Sequence, residues 1–435
     1  GEILVILNPV SFSSKTSVTE VSQTLGGSQI TFQSLLTVNG HIRVNSDPLD
    51  LASVGAAVGL GENELLSDSE SYTISESSGS GVNGTLTFTK RKAGHTLATL
   101  SFTGTQDGLL HPAGIYQNNS DLGGQEIIQL NAIDGSSGIS ETSIRQDKDG
   151  KSVTYEDLLI FDGHCIVNLS ATNPVVVARS DIAGNGLTGN FVEYRLDSLA
   201  NPDIKGIATL QEKRSGEARL VIQLENTPTG GIHPAGIYAG LALDNGNEKF
   251  VSLNPVDGDN GESITHIEAS DDGSDDQLTY DELADYAGYL RVELNPSDAT
   301  VVAQGDFGSN GFTGNKVEYA IVEQGGSGIT GLATLEERYN GNTFLTMVVE
   351  GTMSGANHQA HIHENSLSTS GSIRITFNND IIGATGISQN NISQFDAGGN
   401  VTYSDLLEYD GHILIHQGPT GGTPVAGADI GLNAI

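Results

Sequence analysis

A ten-residue motif occurs four times in this sequence at a nearly constant interval. Each copy begins with Thr and an aromatic residue, carries apolar residues in its middle, and ends in Gly nine residues after the Thr. The copies are TFQSLLTVNG from Thr31, TYEDLLIFDG from Thr154, TYDELADYAG from Thr279 and TYSDLLEYDG from Thr402. The four Gly residues are separated by 123, 125 and 123 positions, so we expect tandem copies of one structural unit.

The motif itself predicts a short helix. Thr is a favourable N-cap residue, and the residue three positions later is acidic in three of the four copies, which completes a capping box. We therefore expect a helix of one to two turns in each copy, ended by the Gly. The residues at that third position are Ser34, Asp157, Glu282 and Asp405.

The segments around the motif alternate apolar and polar residues with a period of two, which predicts β-strands. Hairpin pairs such as GTLTFTK and TLATLSFTG precede a line that contains HPAGIY at His111 and His233 and HQAHIH at His358. The apolar residues are mostly Ile, Leu and Val, and Gly accounts for 56 of 435 residues, mainly in turns. We therefore predict an all-β chain of tandem repeats, each with one short helix.

The chain starts in the middle of a repeat. A strand ILVILNPV is predicted from Ile3, and its counterparts lie in the second half of the later repeats. The predicted domains are residues 1–72 (half a repeat), 73–191, 192–316 and 317–435 (full repeats). The half repeat would expose strand edges, so we expect either upstream residues or strands of a neighbouring molecule to cover them.

The net charge of the chain limits the classes of molecule that it is expected to bind. Nineteen Lys and Arg against 54 Asp and Glu give a net charge of −35, which excludes nucleic acid as the expected partner. No apolar stretch is long enough to span a membrane. The single cysteine, Cys165, permits no intramolecular disulfide and is expected to be a buried structural residue.

The order of the segments resembles the CHRD (chordin) domain over essentially the whole chain. The matching lines are HQAHIH from His358, VSLNPVDGDNG from Val251, the TYxxLLxFDG helix, and closing lines from Val177, Val302 and Val425. The variants are similar to the bacterial, Bacteroidetes-type branch of secreted proteins. The resemblance implies an immunoglobulin-like or superoxide-dismutase-like Greek-key β-sandwich for each repeat, and it implies no defined activity.

The last repeat contains one set of residues that could bind a transition metal. His361 and His363 lie two apart on a predicted strand and face the same side, and His416 and His358 are the further candidates. Neutral imidazoles bind copper or zinc. The HIH pattern resembles the copper-binding strand of Cu/Zn superoxide dismutase, although no bridging His follows it closely. The alternative is a hydrogen-bonded histidine cluster at a domain end or subunit contact.

Acidic loops before the capped helices are candidates for Ca²⁺, which prefers several oxygen ligands. No EF-hand spacing is present, and solvated acidic loops are the alternative. The candidate residues are Asp147, Asp149, Asp271, Asp272, Asp275 and Asp276.

No catalytic nucleophile motif or phosphate-binding loop is present, so we expect no enzyme. The favoured function is a secreted or cell-surface structural or adhesive protein. We expect it to self-associate into a filament or surface layer in which strands of a neighbour complete the half repeat. The alternatives are a metal-binding protein that acts through the last repeat, and a binding module for other surface proteins or glycans.

Overall fold

The computed structural model describes residues 2–47, 49–199, 203–246, 248–271, 273, 277–420 and 422–434. The chain divides into two compact units: Gly1–Thr188 with Lys213–Ser215, and Gly189–Glu212 with Gly216–Ile435. Strands dominate both units, and the helices are short. None of the helices among the described residues has the length and apolar character needed to cross a membrane.

The first part of the chain contains helices α1 (Phe32–Leu36) and α2 (Tyr155–Leu159). Its strands are β1 (Asn39–Asp47), β2 (Asp50–Gly61), β3 (Leu65–Glu76), β4 (Asn83–Arg91), β5 (Thr96–Thr103), β6 (Leu110–Gln117), β7 (Glu126–Asp134), β8 (Ile139–Ile144), β9 (Asp162–Asn168) and β10 (Val176–Ala183).

The rest of the chain contains a 3-10 helix (Ala242–Asp244) and helices α3 (Tyr280–Asp285) and α4 (Tyr403–Leu407). Its strands are β11 (Leu187–Ser198), β12 (Lys205–Lys213), β13 (Ala218–Glu225), β14 (Ile232–Ala239), β15 (Lys249–Asp257), β16 (Glu262–Ile267), β17 (Ala287–Asn295), β18 (Asp298–Gly308), β19 (Phe312–Glu323), β20 (Thr330–Arg338), β21 (Thr343–Glu350), β22 (Ala360–Glu364), β23 (Ile373–Thr376), β24 (Ile387–Ile392), β25 (Asp410–His416) and β26 (Pro424–Gly431).

Each full repeat is an eight-stranded antiparallel sheet curled into a sandwich. In the first full repeat the strand order is β7-β6-β9-β10-β3-β4-β5-β8, and the second repeat closes the same order into a barrel, β11-β12-β13-β16-β15-β14-β17-β18. The last repeat has the order β23-β22-β25-β26-β19-β20-β21-β24. Counted within a repeat, the order around the closed barrel is 1-2-3-6-5-4-7-8. The other two repeats have the same cyclic order but are open between strands 5 and 6, and the order is a Greek-key arrangement. The predicted fold class of tandem β-sandwiches, each with one short helix, is confirmed.

The alternation of the sequence places one apolar core inside each sandwich. In the last repeat Leu345 and Met347 from one sheet face Ile362, Ile413 and Ile415 from the other, and all five are completely buried. Burying such side chains contributes about 1.5–3 kcal/mol each, so the inward positions determine the strand register. Residues next to the inward ones on β22 and β25 must therefore face outward.

The capped helices form as predicted. In all four copies the Thr side chain accepts a hydrogen bond from the backbone N–H three residues later, and the side chain of that residue accepts a hydrogen bond from the Thr backbone N–H. Ser34 completes the capping box in the first copy, although it is not acidic.

The closing Gly does not end the helix, contrary to expectation. Helix α4 ends at Leu407, and Gly411 lies inside β25. A Cβ atom on Gly411 would press against the ring of Tyr409 and lie 2.6 Å from the carbonyl oxygen of His363. The same relation holds at Gly163, where the neighbours are Phe161 and Tyr116. The Gly is required because two strands approach closely there.

The first, partial repeat differs from the other three. The strand predicted from Ile3 does not form; in the full repeats its counterparts β7 and β15 pair with the fourth strand of their own repeat. Strands β1 and β2 form a separate two-stranded sheet. Helix α1 buries none of its residues, and Phe32 is 72% exposed, whereas its counterpart Tyr403 is 6% exposed.

The structural repeats begin slightly earlier than the domains predicted from sequence. The first strand of each full repeat starts at Leu65, Leu187 or Phe312. The predicted starts of the domains at residues 73, 192 and 317 therefore fall inside β3, β11 and β19. Alternating strand residues continue across these positions, so periodicity alone gave no signal for the boundary.

A buried ion pair joins the two repeats of the second unit. The guanidinium of Arg338, at the end of β20, donates to the carboxylate of Asp306 in β18 over 2.8 Å and also to the carbonyl of Asn310. Arg338 is 1% exposed and Asp306 is 6% exposed. Phe312 and Phe344 lie on the guanidinium at 4.8 and 5.0 Å from the ring centroids. This packing fixes the turn of one repeat against the preceding repeat.

Candidate metal centre

Strands β22 and β25 position three histidines on the outer face of the last sandwich. Ile362 points into the core, so His361 and His363 on either side of it point outward. On β25, Ile413 and Ile415 point inward, and His416 therefore points outward at the end of the strand. The two strands are antiparallel neighbours, and they bring the three imidazoles together.

The three rings form a compact group. Their centroids are separated by 5.2 Å between His361 and His416, 5.7 Å between His361 and His363, and 6.1 Å between His363 and His416. One nitrogen from each ring can be chosen so that all three atoms lie within 4.8 Å of one another. We call His361, His363 and His416 the histidine trio.

Backbone carbonyls determine which nitrogens are free. Nδ1 of His363 lies 3.0 Å from the carbonyl oxygen of Gly371, and Nδ1 of His416 lies 2.9 Å from that of Gly422. A nitrogen that faces a carbonyl oxygen must carry the proton, so Nε2 of both rings holds a lone pair. These two Nε2 atoms and Nδ1 of His361 are buried without a hydrogen-bond partner. The trio therefore has two acceptor nitrogens with no donor, beside a third buried ring nitrogen that has no hydrogen-bond partner.

The surroundings favour the neutral forms of His361 and His363. His361, His363 and His416 are 5%, 7% and 9% exposed. Burial, with smaller repulsions from His416 and His363, lowers the pKa of His361 to about 4, although Asp396 acts in the opposite direction. Burial also lowers the pKa of His363, against the hydrogen bond to Gly371. Neutral imidazole is the form that binds a metal ion.

The same location is filled differently in the first full repeat. Gly114 and Tyr116 replace His361 and His363, and a Cβ on Gly114 would collide with the carboxylate of Glu126. That carboxylate is paired with Lys148. An ion pair therefore covers the face that the trio covers in the last repeat.

The second full repeat also lacks the trio. Gly236 and Tyr238 replace the two histidines of β22, and Glu293 replaces His416. Glu293 forms an ion pair with Arg291 over 3.0 Å, and the guanidinium of Arg291 lies 5.3 Å from the ring centroid of Tyr238. The fold thus needs a filled outer face but does not need histidine there.

His358 lies outside the trio. Its Nδ1 is 3.0 Å from the carbonyl oxygen of His416, and its counterparts His111 and His233 make the same bond at 3.3 Å to Asn168 and Glu293. A bond that recurs in repeats without the other histidines is part of the sandwich. His358 therefore supports the backbone of His416.

Asp396 lies near the trio, and sequence reasoning did not single it out as a site residue. Its Oδ1 accepts the amide of Thr376 over 3.0 Å, and its Oδ2 accepts the hydroxyl of the same residue over 2.8 Å. Sequence reasoning also missed the carbonyls of Gly371 and Gly422. The glycines themselves were the only available signal, and they carry no mark that distinguishes them from other loop glycines.

The acidic loops do not converge in the described part of the chain. Oδ1 of Asp147 accepts the amides of Asp149 and Lys151 over 3.0 and 2.9 Å, which is a local turn. Asp271 accepts the hydroxyl of Ser252 over 2.6 Å. Asp272, Asp275 and Asp276 lie outside the described residues. Among the described residues, the histidine trio is the one group of three or more ligand side chains close enough to share an ion.

Cys165 lies in the core of the first full repeat. It is fully buried on β9, and burial raises the pKa of its thiol to about 12. Such a thiol is not a nucleophile at neutral pH.

Comparisons with known proteins add no assignment. No family model matches the chain, and no curated protein or solved structure is significantly similar to it. Inference about function therefore depends on the geometry of the trio and on the sequence.

Proposed function

We propose that the last repeat binds a transition-metal ion, copper or zinc, through Nδ1 of His361 and Nε2 of His363 and His416. The observation that carries this proposal is that the three imidazoles lie close enough to share an ion and that each has a buried ring nitrogen without a hydrogen-bond partner. Leaving a buried polar atom unpaired costs about 1–3 kcal/mol, and three such atoms together need an explanation. A bound cation satisfies all three at once.

The donor set favours these metals. Copper and zinc accept imidazole nitrogen at about 2.0–2.1 Å, whereas Ca²⁺ and Mg²⁺ require oxygen ligands. The carbonyls of Gly371 and Gly422 hold two of the rings in the required tautomer, which is the usual role of a second layer of residues around a metal.

We further propose that the other repeats form the scaffold of a secreted or cell-surface protein of CHRD type, with a structural or adhesive role. The tandem array, the net charge of −35 and the filled outer faces of the first two full repeats support this role. The exposed apolar side chains of the partial repeat, such as Phe32 and Val58, support self-association. Sedimentation velocity and electron microscopy test this part. A chain that stays monomeric at all concentrations would contradict self-association.

Metal content tests the metal site. The full chain is stripped with chelator, incubated with one equivalent of Cu²⁺ or Zn²⁺, desalted and measured by elemental analysis. We expect about one ion per chain and a rise in the unfolding temperature, because an ion that binds only the folded state stabilises it.

The variant for this test is taken from the chain itself. His361→Gly, His363→Tyr and His416→Glu together install the residues that the second full repeat carries at these positions. We expect this variant to fold and to retain less than about a tenth of the metal. The matched control is His41→Gln, which changes an exposed histidine of β1. If the triple variant binds as much metal as the unchanged chain, the site is elsewhere and the proposal is wrong.

A further inference from the structure

The charge of the trio's ligands limits which oxidation state of a metal it can hold well, an inference that rests on the proposed function. All three donors are neutral imidazoles, and the group contains no carboxylate or thiolate. A bound ion therefore keeps its whole charge. A divalent ion would add two positive charges to the site and a monovalent ion only one.

The location makes that difference large. The three side chains are at most 9% exposed, and Leu414 lies on the same outward face of β25, paired with His361. The free energy needed to transfer an ion from water into a protein interior grows with the square of its charge. For a monovalent ion it is therefore about a quarter of the value for a divalent ion of similar size. Low exposure also prevents water from completing the shell of six ligands that a divalent ion often takes.

The acid whose charge acts on His361 is poorly placed to compensate for the charge of a bound ion. Asp396 acts on His361 through its charge, but both of its oxygens already accept hydrogen bonds from Thr376. A carboxylate held in this way does not reach across to bind an ion without losing those bonds. The described structure thus offers partial compensation at a distance and no fourth, anionic ligand.

We propose that the histidine trio is a Cu(I) site, which binds monovalent copper more tightly than Cu(II). Three nitrogen ligands are sufficient for Cu(I), which tolerates low coordination numbers, whereas Cu(II) favours four or more ligands in a tetragonal arrangement. The small number of neutral donors and their burial therefore favour the same ion.

The test compares two dissociation constants on the full chain. Cu(I) is titrated without oxygen against the chromophoric chelator bathocuproine disulfonate, and Cu(II) is titrated in air against a competing aminocarboxylate. We expect Cu(I) to bind at least about tenfold more tightly than Cu(II). A Cu(II) constant equal to or tighter than the Cu(I) constant would overturn the inference and leave the metal site intact. Failure of Cu(I), Cu(II) and Zn²⁺ to bind would instead refute the proposed function.

Two variants test the role given to charge. Thr376→Val removes the hydroxyl bond to Asp396 and frees one carboxylate oxygen, so we expect Cu(II) affinity to rise about tenfold with little change for Cu(I). Asp396→Asn removes the charge, so we expect Cu(II) affinity to fall more than Cu(I) affinity. Thr334→Val on β20 is the control for the loss of a strand threonine. Equal changes for both ions in both variants would contradict the charge argument.

Discussion

His363 and His412 stack with ring centroids 5.2 Å apart and planes inclined by 20°. The neighbouring strands of the other full repeats carry an equivalent stack at 5.5 Å, formed by Tyr116 with His164 and by Tyr238 with Tyr289. The stack is therefore a component of the sandwich, and only its residue types change between repeats. In the last repeat it also orients a proposed metal ligand.

The stacking of His412 on His363 predicts how substitutions of His412 change metal affinity. His412→Ala removes the ring that supports His363, and we expect metal affinity to fall by about ten- to a hundredfold. His412→Tyr installs the residue of the second full repeat and should retain most of the affinity. Isothermal titration with Cu²⁺ or Zn²⁺ measures both variants. Equal losses in the two would show that the imidazole itself, and not its stacking, is needed.

The lowered pKa of His361 predicts that acid destabilises the metal-free protein. The unfolded chain takes up its proton near the ordinary value of 6.5, whereas the folded chain resists until about 4. Because the unfolded state binds more protons in this window, the free energy of unfolding falls as the pH drops from about 6.5 to about 4. We expect His361 to account for roughly 2 kcal/mol of that fall.

Urea unfolding at pH 7.5, 5.5 and 4.5 measures this effect. His361→Gly should lose less stability between these values than the unchanged chain, since it lacks the buried imidazole. The two curves would run parallel if the trio were not responsible for the acid sensitivity.

Replacing the closing Gly of the repeated motif by Ala should destabilise the protein by an amount that differs between copies. Gly411→Ala would place a Cβ 2.6 Å from the carbonyl oxygen of His363, so we expect a loss of about 1–3 kcal/mol and weaker metal binding. Gly40→Ala occupies the same place in the first copy, where the nearest atoms are Val38 methyl groups at 3.6 Å. That control should change stability by less than about 0.5 kcal/mol. Thermal unfolding distinguishes them, and equal losses would contradict the crowding argument.

The Arg338–Asp306 pair predicts strong coupling between two repeats of the second unit. Arg338→Leu leaves the carboxylate of Asp306 buried without its cation, so we expect a loss of about 3–5 kcal/mol. Adding Asp306→Ala should recover part of this loss, because no buried charge then remains. Lys316→Ala, in the exposed pair with Glu318, should cost less than about 1 kcal/mol. Chemical unfolding measures five proteins: the unchanged chain, Arg338→Leu, Asp306→Ala, the double variant and Lys316→Ala. A double variant whose loss equals the sum of the two single losses would contradict the coupling.

Local patterns predicted much of the fold. Period-two alternation located the strands of the full repeats, and Thr402 with Asp405 was enough to predict helix α4 with its cap. The outward direction of His361 and His363 followed from their spacing on one strand. These features depend on residues within a few positions of one another, which is the range that a sequence pattern describes.

The remaining features depend on pairing between distant segments. His416 meets the other two histidines because β25 pairs with β22 in one particular register, which no local pattern specifies. The carbonyls of Gly371 and Gly422 belong to loops whose conformations are set by the strands that they join. The residues from Ile3 have the composition of a strand but do not form one, so composition alone was not sufficient to predict a strand there.

The histidines of the trio alternate along their strands with the core residues Ile362, Ile413 and Ile415. Mutations at the outward positions therefore leave the core untouched, and the first two full repeats demonstrate that other residues serve there. A repeat of this kind can acquire or lose an ion-binding site over evolutionary time by three substitutions. Because each repeat has its own core, one copy in a duplicated array can accumulate such substitutions while the other copies keep their original residues.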